Sequence, residues 1–451
     1  MINEVRMKIK FLIIPFLLLS QASAQQEVQT LRLEDCIARA MGKNPSLQIS
    51  EAKVEAAEAR SAEAATALLP QLKFSGRAAE LSRIDPFGLT LGPPINLSMV
   101  LFPSITENYA VRLSLQQPLF TGFKLQKNHE IAELNAHAVR EEWTKDQSDL
   151  VLNVVSAYWN FYRAIKVEEV IRQSVEQMTE HLKDANNMLA QGLSTDADVM
   201  KVQVLLSDVK VKQLEARNGM RLASMALNSL IRNSLETRIL PSDTPSLPKM
   251  TEGALFRKPL ATLQLRALEH RPEMKSMQLR RDMKSAGVTA AQGGWYPQIF
   301  LSANYDYARP NQRIIPPKDR WDGTWDVGVN VQWNIWDWYA TGHQTAQAEA
   351  ALRQSEAGVA QLSDAVALDV AQQYFTAQTA MDKVDVAASG MDQAQESFRM
   401  TSEKYKNGIS SNTDLLDAES ALLQAKLTQT QAVVDFLLAS ARLKKAVGEN
   451  P

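Results

Sequence analysis

The sequence predicts a mainly α chain with a small β part. It is built as two copies of one pattern, each with two barrel strands and two long, coiled-coil-like helices. Three observations lead there. Short motifs recur at fixed offsets between the halves. Segments of about ten residues alternate apolar and polar side chains, as in the wall of an outer-membrane barrel. Long proline-free stretches carry a seven-residue apolar repeat.

Composition first narrows the function classes. The 451 residues include 49 basic and 51 acidic side chains, a balance that gives no electrostatic footprint for nucleic acid. One strongly apolar run occurs, at the N-terminus. Nothing later approaches the roughly 18–20 apolar residues of a spanning helix, which excludes a helical membrane transporter. A single Cys makes no internal disulfide, so packing must hold the framework.

Residues 1–24 read as an export signal. Arg6, Lys8 and Lys10 precede Phe11-Leu12-Ile13-Ile14-Pro15-Phe16-Leu17-Leu18-Leu19, and Ala22-Ser23-Ala24 offers an A-x-A site before Gln25. A short N-terminal anchor is the competing reading. Cys36 follows Arg32-Leu33-Glu34-Asp35, which is no lipobox, and is expected to be a small buried helix residue.

The repeat organises the rest. Asn44-Pro45-Ser46-Leu47 recurs as Arg271-Pro272-Glu273-Met274, and Leu69-Pro70-Gln71-Leu72 as Tyr296-Pro297-Gln298-Ile299, both at an offset of 227. From Val111, Leu113 and Leu115 (matched by Val327, Val329 and Val331) the offset is 216, and Tyr158–Tyr374, Gly192–Gly408 and Asp198–Asp414 keep it. The second copy is therefore 11 residues shorter between its strands. Repeat 1 spans 25–235 and repeat 2 spans 261–451. Pro241, Pro245, Pro248 and Pro259 mark a linker at 236–260.

Each copy opens with an Ala-rich helix, at 46–68 and 273–294, ended before Pro70 or Pro297 because proline restricts the residue preceding it. No Pro occurs from 119 to 240 or from 318 to 450, and the main breaks are Gly192 and Gly408. Each stretch thus reads as a long helix, a turn and a second helix. Val370, Ala377, Val384, Met391, Phe398 and Tyr405 fall at strict sevens; Val154, Phe161, Val175, Leu182 and Leu189 match them, interrupted by Glu168. Such a repeat supercoils neighbouring helices left-handedly. A helix from Phe123 to Ala190 would extend about 100 Å, a rod suited to crossing an aqueous compartment.

The strands fall near Leu72–Ala78, Tyr109–Leu119, Ile299–Tyr307 and Trp325–Ile335. In the fourth, Trp325, Val327, Val329, Val331, Trp333 and Ile335 alternate with Asp326, Gly328, Asn330, Gln332 and Asn334. Tyr109, Tyr305, Tyr307, Trp325 and Trp333 are the expected aromatic girdle against outer membrane lipid. A soluble sheet half-covered by helices is the competing explanation. Four strands close no barrel, and lipid tolerates no open sheet edge. Two chains would supply eight strands and three would supply twelve; the wider one leaves an open bore.

These segments, in this order, resemble the TolC-like outer membrane efflux proteins. The resemblance rests on Leu31-Arg32-Leu33-Glu34-Asp35-Cys36-Ile37-Ala38 with Asn44-Pro45, on Leu68-Leu69-Pro70-Gln71-Leu72, and on Gln117-Pro118-Leu119-Phe120-Thr121-Gly122. Tyr405-Lys406-Asn407-Gly408 with Asp414-Leu415-Leu416-Asp417-Ala418 completes it. It implies a homotrimer whose twelve-stranded outer membrane barrel continues as an α-helical periplasmic tunnel. It also implies the passive exit duct of a tripartite efflux or type I secretion system. The partners would be a periplasmic adaptor (membrane fusion) protein and an inner-membrane pump or ABC transporter, with no enzymatic activity and no cofactor.

In that family the turns between paired helices lie at the periplasmic mouth. The resemblance makes Gly192, Leu193, Ser194, Gly408, Ile409 and Ser410 the tip residues that meet the adaptor. It makes Asp414 and Asp417, with Asp198, an acidic constriction. The residues alone offer another account of two of these. Gly suits a left-handed helix end, and Thr195-x-x-Asp198 and Ser411-x-x-Asp414 resemble capping boxes with Asp in the Glu position. Asp417 lies one turn further along the same face, and its repeat counterpart is Lys201. Well-known members carry an Arg where this chain has Ser410, so its closed-state lock is expected to differ.

No catalytic or metal motif is found. His129, His137, His181, His270 and His343 form no H-E-x-x-H, and there is no Walker A or G-x-S-x-G sequence. The competing functional class is a periplasmic coiled-coil scaffold without a channel, extractable without detergent.

Overall fold

A computed structural model describes residues 28–245 and 255–451; the export-signal reading and Pro248 lie outside the described residues. The first copy runs β1 (Gln29–Leu31), α1 (Leu33–Lys43), α2 (Pro45–Thr66), β2 (Gln71–Glu80), β3 (Phe87–Leu91), β4 (Leu97–Phe102), β5 (Glu107–Phe120), α3 (Lys124–Ala190) and α4 (Asp196–Leu230). After β6 (Ile239–Pro241), the second copy runs α5 (Leu260–His270), α6 (Pro272–Gln292), β7 (Gln298–Arg309), β8 (Asp322–Gln332), α7 (Ala340–Lys406) and α8 (Asn412–Ala446). No described helix is long and apolar enough to cross a membrane.

One four-stranded antiparallel sheet has the order β2–β5–β7–β8. Its register sorts side chains cleanly, because opposed residues share a face. Leu72, Leu115, Ala303 and Val327 form one row across all four strands; Phe74, Leu113, Tyr305 and Trp325 form the next. The opposite face carries Lys73, Ser114, Asn304 and Asp326, then Ser75, Arg112, Asp306 and Thr324. Arg112 pairs with Asp306 at 2.5 Å, and Asn304 donates to Asp326 at 2.9 Å. The apolar face has no cover within the chain: Phe74, Trp325 and Val327 are 74%, 71% and 62% exposed.

The fourth strand is shorter than the sequence suggests. β8 ends at Gln332, so Trp333 and Ile335 lie beyond it. Gln332 pairs with Gln298, the first residue of β7, and no strand remains to extend the ladder. The Trp333 indole instead donates to the Trp295 carbonyl at 3.1 Å. A second departure is β3 and β4, a hairpin in the longer loop of the first copy where only a loop was expected.

Each strand of the sheet continues into a helix, and the helices keep the strand order. α2 enters β2, β5 leaves into α3, α6 enters β7, and β8 leaves into α7. α3 packs against both α2 and α6, and α6 packs against α7. The turn from sheet into long helix is the same in both copies. Two successive left-handed residues make it, Gly122 and Phe123 (φ 64° and 65°), then Trp338 and Tyr339 (φ 56° and 62°). Gly122 also meets Gly293 backbone to backbone; a Cβ on either would collide with the other's carbonyl oxygen.

α3 and α7 each have 67 residues, which is about 100 Å of helix. One long helix is covered by shorter ones placed end to end. α1 and α2 (11 and 22 residues) lie along part of α3, and α4 (35 residues) along the rest. Asn44 joins them: its Oδ1 accepts from Ser46 N, and its Nδ2 donates to Leu230 O at the end of α4. In the second copy the counterpart Arg271 does this work. Its guanidinium donates to Ala446 O at the end of α8 and binds Asp369 on α7 at 2.8 Å. The Asn-Pro and Arg-Pro motifs are thus joints between collinear helices.

The heptad seam packs as expected along α7, where Val370, Ala377 and Val384 are buried. Glu168 interrupts the α3 seam because it accepts from Arg217 on α4 at 3.2 Å. At mid-length β1 pairs in parallel with β6. Tyr158, fully buried on α3, donates to Leu31 O and meets Asp243, tying both strands to the helix. Burial and the Asp243 carboxylate push the Tyr158 hydroxyl well above its usual pKa. Cys36 is buried in the same cluster, and burial pushes its thiol up to about 11.

Candidate functional site

The two tip turns, at the end farthest from the sheet, are built alike. After α3, Leu193 N donates to Met188 O and Gly192 N to Leu189 O, both at 2.9 Å; after α7, Ile409 N donates to Lys404 O and Gly408 N to Tyr405 O. This six-to-one pattern needs a left-handed residue, and Gly192 and Gly408 supply it at φ 73° and 72°. Leu193 and Ile409, the next residues, are 74% and 75% exposed. Ser194 and Ser410 are half-buried.

The aspartates that follow are caps. Asp198 N donates to Thr195 Oγ1 at 3.2 Å, and Thr195 N donates back to Asp198 Oδ2 at 3.3 Å. Asp414 N donates to Ser411 Oγ at 3.1 Å, and Ser411 N returns to Asp414 Oδ2 at 3.0 Å. Ser410 Oγ also donates to Asp414 Oδ2, at 3.1 Å, so its hydroxyl is spent within its own turn. The Ser411 hydroxyl and amide, then Ser410, hold the Asp414 carboxyl below its ordinary value. Thr195, then Lys201, does the same for Asp198.

A pH dependence follows from the sign of these shifts. A carboxyl whose folded pKa is depressed adds stability that is present above the unfolded value and lost as pH falls through the folded one. Both caps therefore hold from neutrality down to about pH 5 and fail in acid below the ordinary Asp value of about 3.9. Amide exchange at Thr195–Asp198 and Ser411–Asp414, corrected for intrinsic rates, should accelerate only below that point. Asp414→Asn should abolish the acid step in the second turn.

Asp417 is exposed and, among the described residues, accepts no hydrogen bond. Its repeat position holds Lys201, which lies near Asp198. One tip thus carries a carboxylate beside an ammonium, the other two carboxylates three residues apart.

The link between the turns comes from residues the sequence reading passed over. His181, buried on α3, places Nδ1 3.1 Å from Glu419 Oε2 and Nε2 3.0 Å from Asn412 Oδ1, both on α8. Asn412 Nδ2 donates to Asp198 O at 3.2 Å, which fixes its amide so that Oδ1 faces the ring. Nε2 must then carry a hydrogen, and the Nδ1–Oε2 contact needs a further proton held by ring or carboxylate. The Tyr405 ring stands edge-on to His181 at 5.4 Å. An apolar cluster of Met178, Ala185, Val199, Val202, Leu206 and Leu416 lies at the same level. A lone His inside an otherwise apolar repeat was the available signal.

The aromatic residues gather at both ends of the sheet. At the end nearer Arg309 and Asp322, Tyr109 and Tyr307 stack on Trp321, which the sequence reading did not include, at 6.1 and 5.0 Å. Tyr305 and Trp325 sit opposite each other one row inward. At the helical end the Trp336 ring meets those of Trp338 and Tyr339 edge-on, with Trp338 81% exposed, and Trp333 precedes them in the same segment. Among the described residues no group of three His, Cys, Asp or Glu side chains could hold a metal.

The family model for outer membrane efflux proteins matches residues 36–231 and 263–449. The outer membrane efflux protein BepC of Brucella suis is 24% identical, over 75% of this chain and 72% of its own length. The alkaline protease secretion protein AprF of Pseudomonas aeruginosa is 23% identical, over 76% and 70%. The crystal structure of the outer membrane protein VceC from Vibrio cholerae shares the fold, with a TM-score of 0.77 at 17% identity, covering 93% of this chain and 96% of that one.

Proposed function

The chain belongs to the outer membrane efflux protein family, and from that premise we propose that three copies form the passive exit duct of a tripartite efflux or type I secretion system. It is an outer membrane protein that extends into the periplasm. In the proposed assembly a periplasmic adaptor engages the tip turns at Leu193 and Ile409. An inner-membrane pump or ABC transporter supplies the energy, and this chain performs no catalysis.

The sheet carries the proposal. An even number of antiparallel strands leaves outer edges, β2 and β8, that run antiparallel to one another. Copies can therefore close into a uniformly antiparallel barrel with no free edge in lipid. Because helix order follows strand order, the same closure brings α7 of one copy beside α2 of the next and completes a helical wall. Apolar side chains left exposed along the helices fit that neighbour: Met200, Val204 and Val211 on α4, Leu368 and Phe375 on α7. The names of two relatives, one an efflux protein and one a protease secretion protein, support both uses of such a duct.

Detergent-purified protein should have the mass of three chains and give stepwise currents in planar bilayers. A water-soluble monomer that gives none would overturn the reading and leave the scaffold. Within the duct, we assign Asp417 with Asp414 to a ring of six carboxylates that favours cations and resists collapse. Asp417→Asn should lower cation preference in the bilayer while leaving assembly unchanged. Unaltered selectivity would remove Asp417 from the constriction.

A further inference from the structure

The hairpin β3–β4 stands apart from the rest of the chain. It follows β2 and precedes β5 at the sheet end farthest from the helices, and no other element packs closely on it. A turn over Gly92–Asn96 closes it, with Ile95 N donating to Gly92 O at 3.2 Å and Asn96 left-handed. The register puts Leu89 opposite Met99 and Leu91 opposite Leu97. A bulge beside Phe87 brings Phe102 opposite it, the two rings 6.3 Å apart. One face is therefore apolar throughout, and its six side chains are 38% to 63% exposed. The other face carries the Thr90 and Ser98 hydroxyls, 3.4 Å apart, and Gly88 opposite Val100, its one large apolar side chain.

A lone two-stranded hairpin is marginal in water, and a contiguous apolar face of this kind marks a contact surface. We propose that this face is covered by the same hairpin of neighbouring copies, so that three hairpins meet across the outer mouth of the duct as an apolar gate. The inference rests on the trimeric duct proposed above.

Three observations favour a second copy as the occupant. The hairpin grows directly from β2, the open sheet edge that must join the next copy, so it is continuous with that seam. Charged residues separate it from the apolar band of the sheet: Glu80, Arg83 and Asp85 on one limb, Glu107 on the other. Acyl chains that wet Leu72 and Phe74 would have to cross this collar to reach Leu89. The limbs are pinned across the collar by Leu81 N to Thr106 O at 2.6 Å and Ile84 N to Ser104 Oγ at 3.2 Å. Finally, the hairpin is long enough to reach the threefold axis. A strand of five or six residues spans about 17–20 Å, and a twelve-stranded tilted barrel has a radius of about 10–12 Å.

Cys36 is buried, with its thiol pushed up to about 11, so Met99→Cys introduces the only reactive thiol among the described residues. In the detergent-purified assembly a short bis-maleimide should link Met99→Cys chains into dimers and leave Thr90→Cys chains, labelled on the other face, unlinked. Leu89→Lys with Met99→Lys should drive the hairpins apart and raise single-channel current severalfold. The proposal is overturned if a trimeric, conducting Met99→Cys assembly links no better than Thr90→Cys. It is equally overturned if a bimane at Met99→Cys is quenched by nitroxide-labelled lipid, which would assign the face to the membrane. A monomeric or non-conducting particle would overturn the duct itself, and this inference with it.

Discussion

Val327→Arg is expected to abolish assembly in the outer membrane. Val327 lies mid-strand in β8, in the apolar row with Leu72, Leu115 and Ala303, and no side chain of its own copy covers it. An Arg on the lipid face near the midplane of a barrel costs about 2–4 kcal/mol, and a trimer would bear that cost three times. The guanidinium cannot escape inward, since successive side chains alternate faces and a one-residue slip would send every apolar neighbour into the bore. Asn330→Arg is the control. It lies on the polar face, where Asn330 donates to Ser302 Oγ at 2.8 Å, and a charge there meets water. Density fractionation of membranes should find the Asn330 variant with the outer membrane at normal yield and the Val327 variant degraded or aggregated. Equal recovery of both would mean that this face does not meet lipid.

The same alternation explains why the sheet could be read from sequence. Period-two patterning survives in Trp325–Val331 because lipid selects one face and water the other. The long helices were legible for a comparable reason, since a seam such as Val370, Ala377 and Val384 must stay apolar along its whole buried length. Where patterning gives way to pairing, the sequence was less informative. The end of β8 is set by where β7 begins, a partner effect invisible in the Trp333–Ile335 alternation itself. The β3–β4 hairpin shows alternation too, around Gly92-Pro93-Pro94. Its length was visible only as the 11-residue excess of the first copy.

At the tips, local chemistry was legible and long-range chemistry was not. Gly192, Gly408 and the Thr195 and Ser411 boxes act over three or four residues, so spacing announced them. Asp198 and Asp414 are caps in the structure, and each carboxylate accepts its hydrogen bonds at Oδ2. His181 and Glu419 are 238 positions apart, so no local spacing ties one to the other. Glu419 follows Asp414 and Asp417 along α8 and looks like one more surface acid. Only the packing of α3 against α8 turns it inward.

That buried link leads to the second large effect. His181→Phe keeps the ring volume but leaves the Glu419 carboxylate and Asn412 Oδ1 without their partner in an apolar cluster. Removing one member of a buried polar pair costs about 3–5 kcal/mol, more than the pair itself contributes, because the survivor stays desolvated. The loss falls where α3 meets α8, the contact that holds one helix pair against the other near the mouth. His181→Phe should therefore loosen the tips, raising the open time of single channels without an adaptor and speeding amide exchange around Asn412. Adding Glu419→Met should recover most of both, since an apolar pair of similar volume replaces a buried polar one at little cost. Asn412 keeps its bond to Asp198 O, and its Oδ1 stays unpaired in both variants, so the difference between double and single variant reports the Glu419 carboxylate. If the single variant leaves currents and exchange unchanged, the two helix pairs are held by Met178, Val202 and Leu416 without the polar tie. If the double variant is no better than the single one, His181 acts through Asn412 rather than through Glu419.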